Sequence, residues 1–154
     1  MFDKILVPVD GSPTSRKGLA EAIAVAKLVG GRIRLLHVLN DPLAGLGSEA
    51  ALVATDEIFA ALRSAGERVL ADAKASVEAA GIAVDEVLFE SCGVRLCDRV
   101  LETARSWPAS LVVMGTHGRR GLSRLMLGSD AEQILRTAPV PILLIRGDVP
   151  RSAP

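Results

Sequence analysis

The sequence of 154 residues contains very few aromatic side chains: no Tyr, one Trp and three Phe. A packed core must therefore consist mainly of Val, Leu, Ile and Ala, which fits the hydrophobic content of 49%. That content excludes a chain that is disordered throughout, and the length is typical of one domain. We predict a single domain over residues 1–147, followed by a flexible tail at residues 148–154.

Net charge is absent as well, because 18 Lys and Arg residues balance 18 Asp and Glu residues. Proteins that bind nucleic acids gain much of their affinity by neutralising phosphates, so the balance argues against a nucleic-acid partner. No apolar run approaches the ~20 residues that span a bilayer, and the charged first residues do not resemble a signal peptide. We expect a cytoplasmic protein without a membrane partner.

Several common motifs are missing. The two cysteines, Cys92 and Cys97, form neither a Cys-x-x-Cys pair nor a disulfide framework, and we predict no metal held by the protein. Each cysteine is interpreted either as buried, as free cysteines often are, or as a regulatory thiol. The Walker A and Gly-x-Gly-x-x-Gly motifs are absent, which argues against a P-loop NTPase and a dinucleotide oxidoreductase.

Short β-branched runs alternate with longer stretches of helical periodicity, a pattern typical of βαβ units and a parallel sheet. The predicted strands are Ile5–Val9, Ile33–Leu39, Ile82–Phe89, Leu111–Met114 and Ile142–Ile145. The predicted helices begin at the N-cap Ser12 and end at Gly30, run from Ile58 to Gly81, and cover Val94–Arg105 and Asp130–Thr137. Charged residues in the third strand, such as Asp85 and Glu86, indicate a sheet edge.

Right-handed crossovers allow these strands to form an open five-stranded parallel α/β sheet in the order 3-2-1-4-5, with helices on both faces. The order then reverses between the first and fourth strands. Ligands of such sheets bind at this point, beyond the carboxyl ends of the strands. We therefore expect Asp10, Gly11 and Ser12 to line a binding crevice together with the residues after Met114.

The connection after the fourth predicted strand is long, and it is rich in glycine. Gly115 and Gly118 permit a close approach of the backbone to an anion. Gly128 and Ser129 precede the last predicted helix, whose first N–H groups attract phosphate. Together these features predict a phosphate-binding site.

The spacing Gly115-x2-Gly118-x9-Gly128-Ser129 resembles the G-x2-G-x9-G-(S/T) nucleotide-binding signature of the universal stress protein family, the UspA-like proteins. The resemblance covers essentially the whole chain. It extends, in the same order along the chain, to Pro8–Ser12, His37-Val38 and Ala138–Arg146. It implies a Rossmann-like fold of the adenine nucleotide alpha hydrolase type, and a nucleotide-dependent stress-response or signalling protein that binds ATP.

The resemblance also implies roles for individual residues. Asp10 is similar to the position that binds the ribose hydroxyls. The residues similar to those around the adenine are Pro8, Val9, Val38 and Met114. The residues similar to those around the phosphates are Gly115, Gly118, Gly128 and Ser129. Arg119, Arg120 and Arg124 stand outside the strict pattern, but their charge suits a triphosphate, which would also carry Mg²⁺ through its own oxygens.

A structural interpretation exists beside most of these roles. Ser129 and Glu132 have the spacing of a capping box, and Asp10 is typical of an Asx turn. Val38 and Met114 are equally compatible with simple core packing. The three loop arginines are compatible with a solvated face, and His117 in the same loop is compatible with a surface residue.

Many universal stress proteins have an apolar or small residue directly after this serine, whereas the present sequence has Asp130. A carboxylate at this position would repel an incoming phosphate. This residue favours an alternative function, that of an interaction protein without a bound nucleotide. A slow ATPase is the other alternative, because no nucleophile near the loop is paired with a base and no catalytic residue is predicted. We expect at most weak hydrolysis.

The fifth predicted strand, Ile142–Ile145, would leave an apolar open edge at one end of the sheet. Pairing with the same strand of a second chain covers such an edge in a two-fold dimer. The family resemblance implies the same arrangement, so we predict a homodimer through this strand. Other protein partners are not predicted.

Overall fold

The computed structural model of the chain describes residues 1–39, 56–90, 94–116 and 127–147. The strands are β1 (Lys4–Pro8), β2 (Arg32–Val38), β3 (Val84–Phe89), β4 (Leu111–Gly115) and β5 (Ile142–Ile145). The helices in these residues are α1 (Pro13–Val29), α2 (Asp56–Ala79), α3 (Leu96–Ser106) and α4 (Ser129–Thr137). All neighbouring strands are parallel, in the order β3-β2-β1-β4-β5. The predicted strand order and the Rossmann-like α/β class are confirmed.

The sheet is covered on both faces, and alternate residues of each strand supply two separate hydrophobic clusters. Ile5 and Val7 of β1 pack with α1 and α2, whereas Leu6 between them packs with α3 and α4. All three side chains are fully buried. A central parallel strand that is covered on both faces has to be apolar throughout, which explains the uninterrupted run that begins the sequence.

Helix α1 begins and ends where its sequence predicts. Ser12 is the N-cap, its hydroxyl accepts a hydrogen bond from the Ser15 N–H at 3.1 Å, and Pro13 occupies the first helical position. At the other end Gly30 adopts a φ of 67°, and its N–H donates to the carbonyl of Ala26. A left-handed residue in this position favours glycine.

Other boundaries differ from the prediction by one or two residues. Strand β3 begins at Val84 rather than Ile82, because the Ile82 N–H donates to the Val77 carbonyl at 3.3 Å as part of the turn that ends α2. Strand β1 ends at Pro8 rather than Val9. The ladder nevertheless continues, since the Val9 N–H donates to the Leu36 carbonyl at 2.8 Å.

Strand β3 lies at one end of the sheet, and its charged residues are paired with neighbouring elements. The Asp85 carboxylate accepts two hydrogen bonds from Arg34 of β2, at 2.5 and 3.0 Å. The Arg34 guanidinium also lies 4.7 Å from the centre of the Trp107 ring. Glu86 pairs with Lys74 of α2 at 3.7 Å. The predicted edge position of β3 is confirmed, and its charged residues also form ion pairs with β2 and α2.

No helix within the described ranges has both the length and the apolar character needed to cross a membrane.

Replacing Arg34 by Lys should lower the free energy of unfolding by about 1 kcal/mol, because Lys cannot form the two-pronged contact with Asp85 or stack equally well on Trp107. Arg32 provides a matched control. It contacts the same carboxylate at 3.5 Å, but half of its side chain is exposed. We expect Arg32→Lys to change stability by less than about 0.5 kcal/mol in urea unfolding. Equal effects of the two substitutions would contradict the importance of the Arg34 contact.

Candidate functional site

Both backbone polar groups of Val9, the residue directly after β1, contact β2. Its N–H donates to the Leu36 carbonyl at 2.8 Å, and its carbonyl lies 2.6 Å from Nδ1 of His37. A carbonyl can only accept, so we assign the proton of the His37 ring to Nδ1. His37 is 6% exposed, and its ring lies beside Gly66 of α2. The chain therefore enters the following turn in a defined direction.

The turn after Val9 is held by its own side chains. The Asp10 Oδ1 accepts a hydrogen bond from the Ser12 N–H at 2.8 Å, and the Asp10 N–H donates to the Ser15 hydroxyl at 3.2 Å. Gly11 between them has a φ of 76°, which favours glycine. The Asx turn considered from the sequence is thus present. It uses one of about four lone-pair positions of the carboxylate, so it is compatible with a second acceptor role for Asp10.

The predicted base-binding residues lie at the carboxyl ends of three adjacent strands. Met114 and Val38 pack in the cluster beneath α3 and α4, on β4 and β2, and β1 with Pro8 runs between these two strands. Met114 is 6% exposed, which supports its role in the core, whereas Val38 is only partly buried. Their contact with an adenine stays a prediction.

The two ends of the glycine-rich loop meet at one point. The Thr116 N–H donates to the Ile145 carbonyl at 2.9 Å, and the Gly128 N–H donates to the Thr116 carbonyl at 3.1 Å. The beginning of α4 is thereby attached to the end of β4. The remaining predicted loop residues lie outside the described ranges, namely His117, Gly118, Arg119, Arg120 and Arg124. The same holds for Cys92 and the tail.

The capping-box interpretation of Ser129 is wrong. Gly128 is the N-cap of α4, and Ser129 is already its first helical residue, so α4 begins one residue before the predicted Asp130. Glu132 does not reach back toward Gly128, because its carboxylate pairs with Arg136 at 2.7 Å. Within the described residues no side chain caps this helix. Its first N–H groups and the exposed Ser129 therefore form an N-terminus suited to an anion.

The side chain of Asp130 points to α3. Its Oδ1 lies 3.4 Å from a guanidinium nitrogen of Arg95, the residue directly before α3. The Cys97 thiol of α3 donates to the neighbouring Asp98 carboxylate at 3.9 Å. Burial raises the pKa of the Cys97 thiol, and the nearby Asp130 carboxylate raises that pKa further. Cys97 is 1% exposed, so of the two interpretations of this cysteine the buried one is confirmed.

Gly115 has a packing role that the sequence analysis missed. A Cβ atom at this position would lie 2.7 Å from the Thr14 Cγ2 and 3.3 Å from the backbone carbon of Thr14. The missing side chain thus allows the first turn of α1 to approach the end of β4. Gly147 makes a similar approach to Thr14, at 3.0 Å from its hydroxyl. Neither contact can be read from a local motif, because the partners are 101 and 133 residues apart in the sequence.

The site is thus built from the Asp10 turn, the apolar strand ends and the α4 N-terminus, all at the place where the strand order reverses. This is where open α/β sheets bind ligands. Among the described residues no group of three His, Cys, Asp or Glu side chains could hold a metal ion.

The family model described as "Universal stress protein family" matches residues 1–146. Universal stress protein MJ0531 of Methanocaldococcus jannaschii is 30% identical over 147 residues, which cover 95% of this chain and 83% of that protein. Universal stress protein YxiE of Bacillus subtilis is 28% identical over 151 residues, which cover 95% of this chain and all of that protein.

Solved structures share the fold. A universal stress family protein from Burkholderia pseudomallei is 32% identical, with a TM-score of 0.69 and coverage of 95% of this chain and 97% of its own. A universal stress protein from Archaeoglobus fulgidus, solved in complex with dAMP, is 22% identical, with a TM-score of 0.68 and coverage of 95% and 100%. Another, solved in complex with cAMP, is 18% identical, with a TM-score of 0.65 and coverage of 94% and 96%.

Replacing Gly115 by Ala should destabilise the protein by about 1–3 kcal/mol, because the new methyl group would collide with Thr14. Gly18 of α1 is the matched control, since it faces Gly115 where α1 packs against β4. Its added Cβ would be 3.5 Å from the nearest atom, an ordinary distance, and Ala favours the helix by up to about 1 kcal/mol. Urea unfolding measures both effects. A tolerated Gly115→Ala would contradict the packing role.

Proposed function

The chain belongs to the universal stress protein family, and from that premise we propose that it binds ATP between the carboxyl ends of β1 and β4 and acts as a nucleotide-dependent stress-response or signalling protein. One observation carries the proposal. The ordered Asp10 turn and the α4 N-terminus, which no described side chain caps, lie on the two strands between which the sheet order reverses. A carboxylate that can accept from hydroxyls and N–H groups that can donate to phosphate support the proposal of one nucleotide site.

Each part of the crevice suits one part of the ligand. We propose that Asp10 accepts hydrogen bonds from the ribose hydroxyls, for which its turn preorganises the carboxylate. The adenine then lies on the apolar strand ends, formed by Pro8, Val9, Val38 and Met114. The phosphates are held by Gly115, Gly118, Arg119, Gly128 and Ser129. Mg²⁺ belongs to the proposal only as an ion bound through phosphate and water oxygens.

The relatives support an adenine nucleotide as the ligand class. The Archaeoglobus fulgidus protein was solved with dAMP, and a further family member was solved with cAMP. Both ligands carry one phosphate, whereas this chain has the full glycine signature and three arginines in the loop that follows β4. We therefore propose a triphosphate as the ligand of this chain, because three arginines can balance its larger negative charge.

Regulation by binding, with at most slow hydrolysis, is the form of activity we propose. The alternative interaction protein without nucleotide was favoured by Asp130, but Arg95 offsets that charge. The cytoplasmic location expected from the sequence is part of the proposal.

Titration calorimetry with ATP and Mg²⁺ tests the proposal directly. We expect saturable binding, and a gain of about 2.7 kcal/mol in the free energy of unfolding at a ligand concentration of 100 times Kd. A thermal melt would show this gain as a higher Tm. The absence of binding at millimolar ATP would contradict the proposed function.

Two variants of the Asp10 turn distinguish ligand contact from folding. Asp10→Asn keeps an acceptor for the Ser12 N–H but loses the charge, so we expect about tenfold weaker ATP binding with little loss of stability. Ser12→Ala removes the N-cap of α1 and should cost about 1 kcal/mol of stability while ATP affinity is retained. The reverse pattern would assign Asp10 to the turn alone.

We also propose that the protein is a homodimer through β5. This strand is the last in the sheet order, and among the described strands it pairs only with β4. Its four residues are Ile142, Leu143, Leu144 and Ile145, and all of them are only partly buried. An apolar edge of this kind is covered by the same strand of a second chain in a two-fold assembly.

Sedimentation equilibrium at micromolar concentration should give twice the mass of one chain. A monomer under these conditions would contradict the proposed dimer, and it would leave the proposed nucleotide site unaffected.

A further inference from the structure

The N-termini of α3 and α4 lie side by side, and one ion pair connects them. Arg95 precedes α3, and its guanidinium lies 3.4 Å from the carboxylate of Asp130, the second residue of α4. The Cys97 thiol of α3 donates to Asp98, the acidic residue in the first turn of α3, at 3.9 Å.

The position of Asp130 conflicts with phosphate binding unless its charge is offset. The carboxylate is on the first turn of the helix whose N–H groups are proposed to donate to the phosphates. Repulsion between like charges at short range is sufficient to weaken binding severalfold, even close to solvent. A cation that pairs with the carboxylate and draws it toward α3 removes most of this penalty.

We propose that Arg95 is a positioning residue for the phosphate end of the nucleotide site, and that it acts through Asp130. By holding the Asp130 carboxylate against α3 and balancing its charge, it leaves the first N–H groups of α4 accessible to phosphate. This inference rests on the proposed function. Arg95 and Asp130 are 35 residues apart in sequence. Together they would select ligands by the number of phosphates.

Because the side chains of Arg95 and Asp130 are partly exposed, an effect of a substitution on ligand affinity can be measured without a large change in stability. The Arg95 side chain is 55% exposed and that of Asp130 is 36% exposed. Ion pairs of this kind add little to stability. Arg95 is the N-cap of α3, but its side chain makes no capping bond there, so a substitution leaves the cap unchanged. We expect the Tm of each unliganded variant to stay within about 2 °C of the wild type.

The test is a double-mutant cycle by titration calorimetry at one fixed ionic strength, with ATP, ADP, AMP and adenosine as probes. Arg95→Ala should weaken ATP binding about fivefold, with smaller losses for ADP and AMP and none for adenosine. Arg95→Lys should restore most of the affinity, because it retains the charge. In the Asp130→Asn background, Arg95→Ala should change ATP affinity by less than about twofold.

Arg105 provides the matched control. It is exposed in the last turn of α3, roughly 15 Å along the axis from Arg95. Arg105→Ala makes the same change of charge and should leave the affinity for all four probes unchanged, because the distance exceeds one screening length.

Four results would overturn the inference. An equal loss of ATP and adenosine affinity in Arg95→Ala would indicate a general structural effect. A fivefold loss that persists in the Asp130→Asn background would mean that Arg95 acts on the phosphates without Asp130. If neither the wild type nor Asp130→Asn binds ATP, the proposed function falls, and the role of Arg95 falls with it. Normal wild-type binding without the predicted coupling would refute the role of Arg95 alone.

Discussion

The parallel pairing of β1 with both β2 and β4 is the constraint on which the rest of the molecule depends. Since β1 is central and covered on both faces, it must be apolar along its whole length. The helices that follow β1 and β2 cover one face, and those that follow β3 and β4 cover the other. The chain therefore leaves β1 and β4 toward opposite faces, which leaves a crevice between their carboxyl ends.

The crevice is shaped by polar contacts that extend from the apolar core. Leu36 and His37 bind the backbone N–H and the carbonyl of Val9, respectively, and the Asp10 turn follows directly in the chain. On the other side Thr116 ties the beginning of α4 to the end of β4. A preorganised site of this kind loses less conformational freedom when a ligand binds. The same contacts that complete the fold therefore also order the proposed nucleotide site.

Much of the architecture could be predicted because its causes are local. Strand β5 has the predicted bounds, and Ser12, Pro13 and Gly30 delimit α1 as their chemistry requires. Ser129 shows the limit of local reasoning. The capping-box spacing is present, but Glu132 pairs with Arg136, so the helix begins at Ser129 with no described side chain capping it.

The remaining features of the site depend on contacts between residues that are distant in sequence. Asp130 considered alone is unfavourable for phosphate, but Arg95, directly before α3, balances its charge. The sequence predicted only a phosphate-binding role for Gly115, although its missing side chain also makes room for Thr14. No periodicity or motif in a single sequence encodes such pairs, because they arise from how the helices pack on the sheet.

A crystal structure of the protein grown with saturating ATP and Mg²⁺ would locate the nucleotide. We expect the adenine beside Val38 and Met114, the ribose hydroxyls on Asp10, and phosphate oxygens at the N-terminus of α4. A nucleotide bound elsewhere, or an empty crevice between β1 and β4 at saturating ATP, would contradict the proposed nucleotide site.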